Sequence, residues 1–321
     1  MSRSGDGKIT ALVPVYECAD RLPAHLASLR TLRETLADFI WVVTPGRDES
    51  ARLARHASKE LGGQYLEVPP GLYQAWNAGI QAASTEFVYI STVGETVSPT
   101  GLDRLRQILQ SQRADVCFTP PFLPTEARPR RQLLRWPIFR FQRELTKRQG
   151  EVLSPMLIAK IQAVAGIFSL LGSCASCLFR ASYLKDHLFP SDYFHYGDSA
   201  WVYQNYRQAR MVYLPDPIAT FAVHGPSGRT VGPRDVERLR RIILRDFKKR
   251  PEAFLAFRAL SRLCACSRYL DSRRGRRPRR LWWLKPRLLH VRVKRLIAEH
   301  RWTHAMNRPW TQAGAHGRAN R

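Results

Sequence analysis

Residues 72–91, LYQAWNAGIQAASTEFVYIS, decide the fold. Residues 72–84 put Ala, Ile and Trp along one side at helical spacing, and 86–91, EFVYIS, form an aromatic and β-branched run of strand length. A helix feeding directly into a buried strand is the repeating unit of a parallel sheet. Upstream, ITALVPVY (9–16) reads as a buried strand, followed by Leu22, Leu26, Leu29 and Leu32 at helical spacing. FIWVV (39–43) is the next strand, a basic-acidic helix runs over roughly 49–60, and QYLEV (64–68) is a third strand. Downstream, SPTGLDRLRQILQ (98–110) is a helix capped by Ser98 or Thr100, and ADVCFT (114–119) is a fifth strand. The alternation predicts an α/β fold, a mainly parallel sheet flanked by helices. Ligands bind such sheets beyond the carboxyl ends of the strands, so chemistry is expected in the loops after Val15, Val43 and Ser91.

The chain has 321 residues, 44% of them apolar, which excludes global disorder, a collagen-like repeat and a disulfide-dense scaffold. Its 52 Lys plus Arg against 26 Asp plus Glu give a formal net charge of +26. That charge is uneven: residues 228–321 carry 27 basic and 6 acidic side chains, and 127–150 carry 8 basic and one acidic, Glu144. The sequence therefore reads as a near-neutral domain over 1–228 with a basic insertion at 127–150, then a basic amphipathic helical extension over 229–310 and a disordered tail over 311–321.

The opening MSRSGDGKITALVPVY carries no recognisable secretion signal, and cytoplasmic residence is expected. The pairs Cys174/Cys177 and Cys264/Cys266 lack a second pair at zinc-finger spacing, so reduced, partly buried thiols are expected. Residues 161–179 are uncharged and long enough to span a bilayer, but their serines and the Gly172-Ser173 break favour a buried helix followed by a strand, CASCLF.

Three blocks carry a family resemblance: ALVPVYECADRL, then GLYQAWNAGIQAASTEFVYISTVGETVSP, then FHYGDSAWVYQNYRQARMVYLPDPIATFAVHGPS. In this order and spacing they resemble the inverting nucleotide-sugar glycosyltransferases of GT-A fold, a family 2-like group that includes bacterial envelope-polysaccharide enzymes. The likeness covers about residues 8–228. It implies that Pro14 and Tyr16 lie along the nucleotide base and ribose, and that Asn77 sits on a helix facing the diphosphate. It also implies that Asp198 is the general base and that His224 approaches a metal or the diphosphate. The chemistry agrees, because inverting transfer needs a carboxylate to take the acceptor's proton and positive charge to stabilise the departing diphosphate. From the residues alone, the simpler reading of Asp198 in HYGD is a helix N-cap, a task Ser199 could share.

The chain departs from the family pattern at two loops. An Asp-rich turn is replaced by Thr44-Pro45-Gly46-Arg47-Asp48, where Thr44 could hydrogen-bond base or ribose and Arg47 could approach a phosphate. The Asp-x-Asp-Asp metal motif becomes Thr92-Val93-Gly94-Glu95. Glu95 with His224 and the diphosphate could hold Mg²⁺ or Mn²⁺, basic side chains could serve without a metal, Glu95 could be a solvated loop acid, or activity could have been lost. Glu17, where the family has Asn, could orient Tyr16, bond the ribose or be an ordinary loop acid. His195, with tyrosine neighbours, is a further cleft candidate whose simpler reading is structural.

The basic parts interleave Arg with Leu, Trp and Phe, as suits an anionic membrane surface, a lipid-linked sugar carrier or acidic glycan. No zinc-finger, homeodomain or ribonucleoprotein signature accompanies them, so nucleic acid is the weaker partner. The expected function is transfer of a sugar from a nucleotide-diphosphate donor to a hydroxyl of a glycan or lipid-linked acceptor, at the inner face of the membrane. The alternatives are a catalytically impaired scaffold and, behind it, a binder of nucleic acid through the basic C-terminal region.

Overall fold

The computed structural model describes residues 7–124, 133, 136–165 and 168–222; His224, the basic extension over 229–310 and the tail over 311–321 lie outside them. The described elements follow in chain order. They are β1 (Ile9–Val15), α1 (Leu22–Thr31), β2 (Asp38–Val43), α2 (Ser50–Leu61), β3 (Gln64–Glu67), α3 (Leu72–Ala82), β4 (Phe87–Ile90), β5 (Thr96–Val97) and α4 (Pro99–Ser111). Then come β6 (Val116–Phe118), α5 (Pro137–Arg140), α6 (Gln142–Thr146), α7 (Pro155–Ala165), β7 (Cys177–Arg180), α8 (Ala181–Asp186), α9 (Gly197–Asn205), β8 (Met211–Tyr213) and β9 (Ala219–Thr220).

Seven strands form one sheet in the order β3-β2-β1-β4-β7-β6-β8, and β5 pairs with β9 in a small antiparallel ribbon. All pairings in the large sheet are parallel except the two made by β7, which runs antiparallel to β4 and β6. The mainly parallel α/β sheet read from the sequence is therefore the observed one. The strands of a sheet covered on both faces are apolar almost throughout, which is why β1 and β2 read as unbroken runs. One face of β1 and β2, through Ala11, Val13, Val15, Phe39, Trp41 and Val43, joins a single apolar cluster with leucines of α1 and α4 and alanines of α2. The opposite face meets α3 so closely that a Cβ on Gly79 would lie 2.8 Å from Val42 Cγ2, leaving no room for a side chain there. Ser98 caps α4, accepting the Gly101 N–H at 2.9 Å.

The chain steps outward from β1 to β2 and β3, then returns to place β4 on the other side of β1. Connections diverge at that switch, and the crevice they leave lies beyond the carboxyl ends of β1 and β4. The uncharged run at 161–179 breaks as expected: α7 ends at Ala165, Gly172 takes φ +69°, and a short 3₁₀ turn over Cys174–Ser176 leads into β7. No helix among the described residues is long and apolar enough to cross a membrane. In the basic insertion, Ile138 and Leu145 are buried anchors, while Arg140, Arg143, Lys147 and Arg148 are exposed.

Candidate active site

The loops after β1 and β2 touch. Tyr16 is 52% exposed at the carboxyl end of β1, and Glu17 takes φ +41°, a left-handed conformation uncommon outside glycine. Gly46 lies against both, since a Cβ there would come 2.8 Å from Glu17 Cγ and 3.6 Å from Tyr16 Cε2. Asp48 fixes this junction: its carboxylate accepts the Ala19 N–H at 3.0 Å, the Ser50 hydroxyl at 2.8 Å and the Ser50 N–H at 3.1 Å. These donors hold its pKa below the ordinary range despite some desolvation. Arg21 donates to the Glu17 carbonyl at 3.5 Å, and Arg47 is exposed. Pro14 and Thr92 are partly exposed, whereas Thr44 is buried and its N–H donates to the Val15 carbonyl at 2.9 Å. Thr44 is the most enclosed of these expected nucleotide contacts.

Beyond β4, Thr92-Val93-Gly94-Glu95 makes a tight turn closed by the Glu95 N–H to the Thr92 carbonyl at 3.0 Å, with Gly94 at φ +95°. Glu95 is neither a solvated loop acid nor open to a ligand. It is 3% exposed, and the Ser173 hydroxyl donates to its Oε2 at 2.6 Å. Burial pushes its pKa up to about 8, against the opposing Ser173 hydrogen bond, so the acid is mostly protonated at neutral pH. No group of three His, Cys, Asp or Glu side chains among the described residues is arranged to hold a metal. A protonated, bonded Glu95 is a poor donor to a hard cation, so the described residues do not fit one. The four described cysteines, Cys18, Cys117, Cys174 and Cys177, are free and buried.

A proton held only by the folded state makes stability fall as pH rises. The Glu95 contribution is complete below the ordinary carboxylate range and is lost as pH climbs through about 8, with a slope of about 1.4 kcal/mol per pH unit between those limits. Urea unfolding of Glu95→Gln, which keeps an acceptor for Ser173, is expected to lose that slope between pH 5 and pH 8. An equal slope in the variant contradicts this role.

Asp198 stands in the first turn of α9, two residues past the Tyr196 cap position, and so is not the N-cap. Its Oδ1 accepts the Ser199 N–H at 2.7 Å and the Tyr73 hydroxyl at 3.2 Å, and the Ser169 hydroxyl also bonds its carboxyl group. The residue keeps some exposure while the carboxyl group lies among protein atoms. Desolvation raises its pKa to about 6, opposed by those three donors and by its own backbone N–H. Tyr73, in the first turn of α3, is at the carboxyl rim of the sheet, so Asp198 is at that rim too. The fields of Asp198 and Glu95 both reach the Cys174 thiol, whose pKa is raised mainly by burial.

Asn77 is engaged within the protein. Its Nδ2 donates to the Phe189 carbonyl at 2.7 Å and its Oδ1 accepts the Phe189 N–H at 3.0 Å, so the amide brackets α3 to the segment leading into Asp198. His195 is exposed at the ring and takes part through its carbonyl, which accepts from Tyr73 at 3.1 Å. Sequence reasoning missed Tyr73, Ser169 and Ser173. Tyr73 stands inside the quoted Gly-Leu-Tyr block and could have been found there, whereas the two serines sit in an apolar run with no local signal.

Fold comparison agrees with the topology. The S. aureus protein TarS superimposes at a TM-score of 0.55 with 16% identity, over 75% of this chain and 39% of that one. TarS 1-349 in complex with UDP-GlcNAc matches at 0.55 and 17% identity, over 75% and 66%, and a second structure of TarS 1-349 at 0.54 and 15%, over 78% and 70%. The fold is of GT-A type. The chain spans little more than a third of full-length TarS. No family model matches the chain, and no curated protein matches it in sequence.

Proposed function

We propose that the chain is an inverting glycosyltransferase, moving a sugar from a nucleotide-diphosphate donor to a hydroxyl of a glycan or lipid-linked acceptor. The observation that carries this reading is Asp198, a carboxyl group with its pKa pushed up to about 6 at the sheet's carboxyl rim, the side on which the loops after β1, β2 and β4 also emerge. A base with a pKa near 6 is ionised at neutral pH yet takes a proton readily. Asp198 accepts the proton of the acceptor hydroxyl as its oxygen bonds to the anomeric carbon. The bond from that carbon to the diphosphate oxygen breaks, and its electron pair leaves with the nucleoside diphosphate. One displacement from the opposite side inverts the anomeric centre. Exposed Tyr16 offers an aromatic face to the base, and Arg21 and Arg47 supply positive charge on the first two loops. The UDP-GlcNAc complex of TarS supports a nucleotide sugar as the donor. A role in cell-envelope polysaccharide synthesis, peripheral to the inner face of the membrane, rests on the basic segments: 27 of the basic side chains fall in residues 228–321.

Titration calorimetry with a panel of nucleotide sugars, with and without Mn²⁺, tests the reading. Saturable binding of at least one donor is expected, and binding of none contradicts it. A second reading, a glycosyltransferase-like scaffold, is favoured by Thr92 and Gly94 standing where the family has acids and by the burial of Glu95. It predicts that null titration.

A further inference from the structure

We propose that Tyr73 and Ser169 are positioning residues that fix the Asp198 carboxylate from two separate elements, an inference that rests on Asp198 being the base. From α9 itself the carboxylate receives the neighbouring Ser199 N–H at 2.7 Å and its own residue's N–H. Those bonds do not set which way the carboxyl group faces relative to the cleft. The other two donors come from elsewhere in the chain: Tyr73 from the first turn of α3, and Ser169 from the segment between α7 and β7.

Both hydroxyls are held before any substrate arrives. Tyr73 is 2% exposed, stacked on Phe189 at 5.8 Å and edge-on to Trp76 at 5.1 Å. Gly197 lets the ring come close, since a Cβ there would sit 2.5 Å from two Tyr73 ring carbons. The Tyr73 hydroxyl has a single proton, shared between Asp198 Oδ1 at 3.2 Å and the His195 carbonyl at 3.1 Å. It therefore ties the base to the turn before it. Ser169 is 7% exposed, and its Oγ accepts the Leu171 N–H at 3.2 Å, which leaves its proton for Asp198. Asn77 brackets the same α3 to Phe189, so the helix that carries Tyr73 is fixed to the base-bearing segment at two places. A catalytic group locked by a supporting shell of this kind holds its geometry through the reaction. The titratable and polar groups facing Asp198 are Tyr73 of α3, Ser169, Cys174 of the 3₁₀ turn, Cys177 of β7 and Tyr196 just ahead of α9.

The test uses the full chain with Tyr73→Phe, which keeps the ring and its stacking, and with Ser169→Ala. Each is expected to lower kcat about tenfold while donor KM stays within about twofold. In each, the acidic limb of the pH profile of kcat/KM moves to higher pH, because a donor to the charged carboxylate has gone. Ser169→Thr keeps a hydroxyl and is expected to restore both kcat and the limb, which separates positioning from simple loss of packing. Unchanged kcat and an unmoved limb in Tyr73→Phe and Ser169→Ala overturn the proposal, as does a lowered kcat with an unmoved limb. Full activity of Asp198→Asn in the same assay overturns the functional reading instead, so the two failures are distinguishable.

Discussion

Asn in place of Asp198 is expected to lower kcat by about a hundredfold to ten-thousandfold while the donor's dissociation constant stays within about twofold. The substitution is close to a pure removal of basicity. The Asn side-chain oxygen still accepts from Ser199 N–H and the Tyr73 hydroxyl, which meet Oδ1 at 2.7 Å and 3.2 Å in the native chain. Stability does not confound the result. Burial raises the Asp198 pKa to about 6, so the folded state gives up stability as pH rises from the ordinary carboxylate range through that value. The Asn variant lacks that loss and is expected to unfold at the same or higher urea concentration than the native chain at pH 8. Turnover by product formation and donor affinity by calorimetry, measured on the same preparation, decide the matter. Native turnover removes Asp198 from the mechanism, and lost donor affinity makes it a donor ligand.

Trp201→Ala is expected to cost about 3–5 kcal/mol of stability. Trp201 is fully buried on α9, three residues after Asp198, against Phe189 at 5.6 Å, Phe179 at 6.1 Å and Tyr183 at 6.2 Å. Its indole N–H donates to the His187 carbonyl at 2.6 Å, so truncation leaves both a cavity and an orphaned acceptor. A loss of that size lowers the melting temperature by about 10 °C in a domain of this length. Because the same ring seats α9 on β7 and α8, kcat is expected to fall more than donor affinity. A melting temperature within about 2 °C of the native value contradicts this packing account.

The sheet was legible because β1, β2 and β4 are buried on both faces. Ile9–Val15 and Asp38–Val43 read as strands directly, and Gly172-Ser173 marked the break before β7. The antiparallel direction of β7 was not legible, because it depends on where a long excursion through α5, α6 and α7 returns. At the site, HYGD announced a carboxylate at the start of a helix, and α9 carries Asp198 there. The bracket made by Asn77 was not legible, because a side-chain amide bonding to a backbone 112 residues away leaves no local trace. Glu95 was misread for a related reason: its burial is set by Ser173, 78 residues on, inside a stretch that looks merely apolar. Short-range pattern fixes which elements form. The partner of a buried polar group is a property of packing.

The stereochemistry of transfer tests the central claim most directly. Proton NMR of the anomeric signal in the first product, from a donor of known configuration, is predicted to show the opposite configuration, as a single displacement driven by one base demands. A product that keeps the donor's configuration contradicts the account.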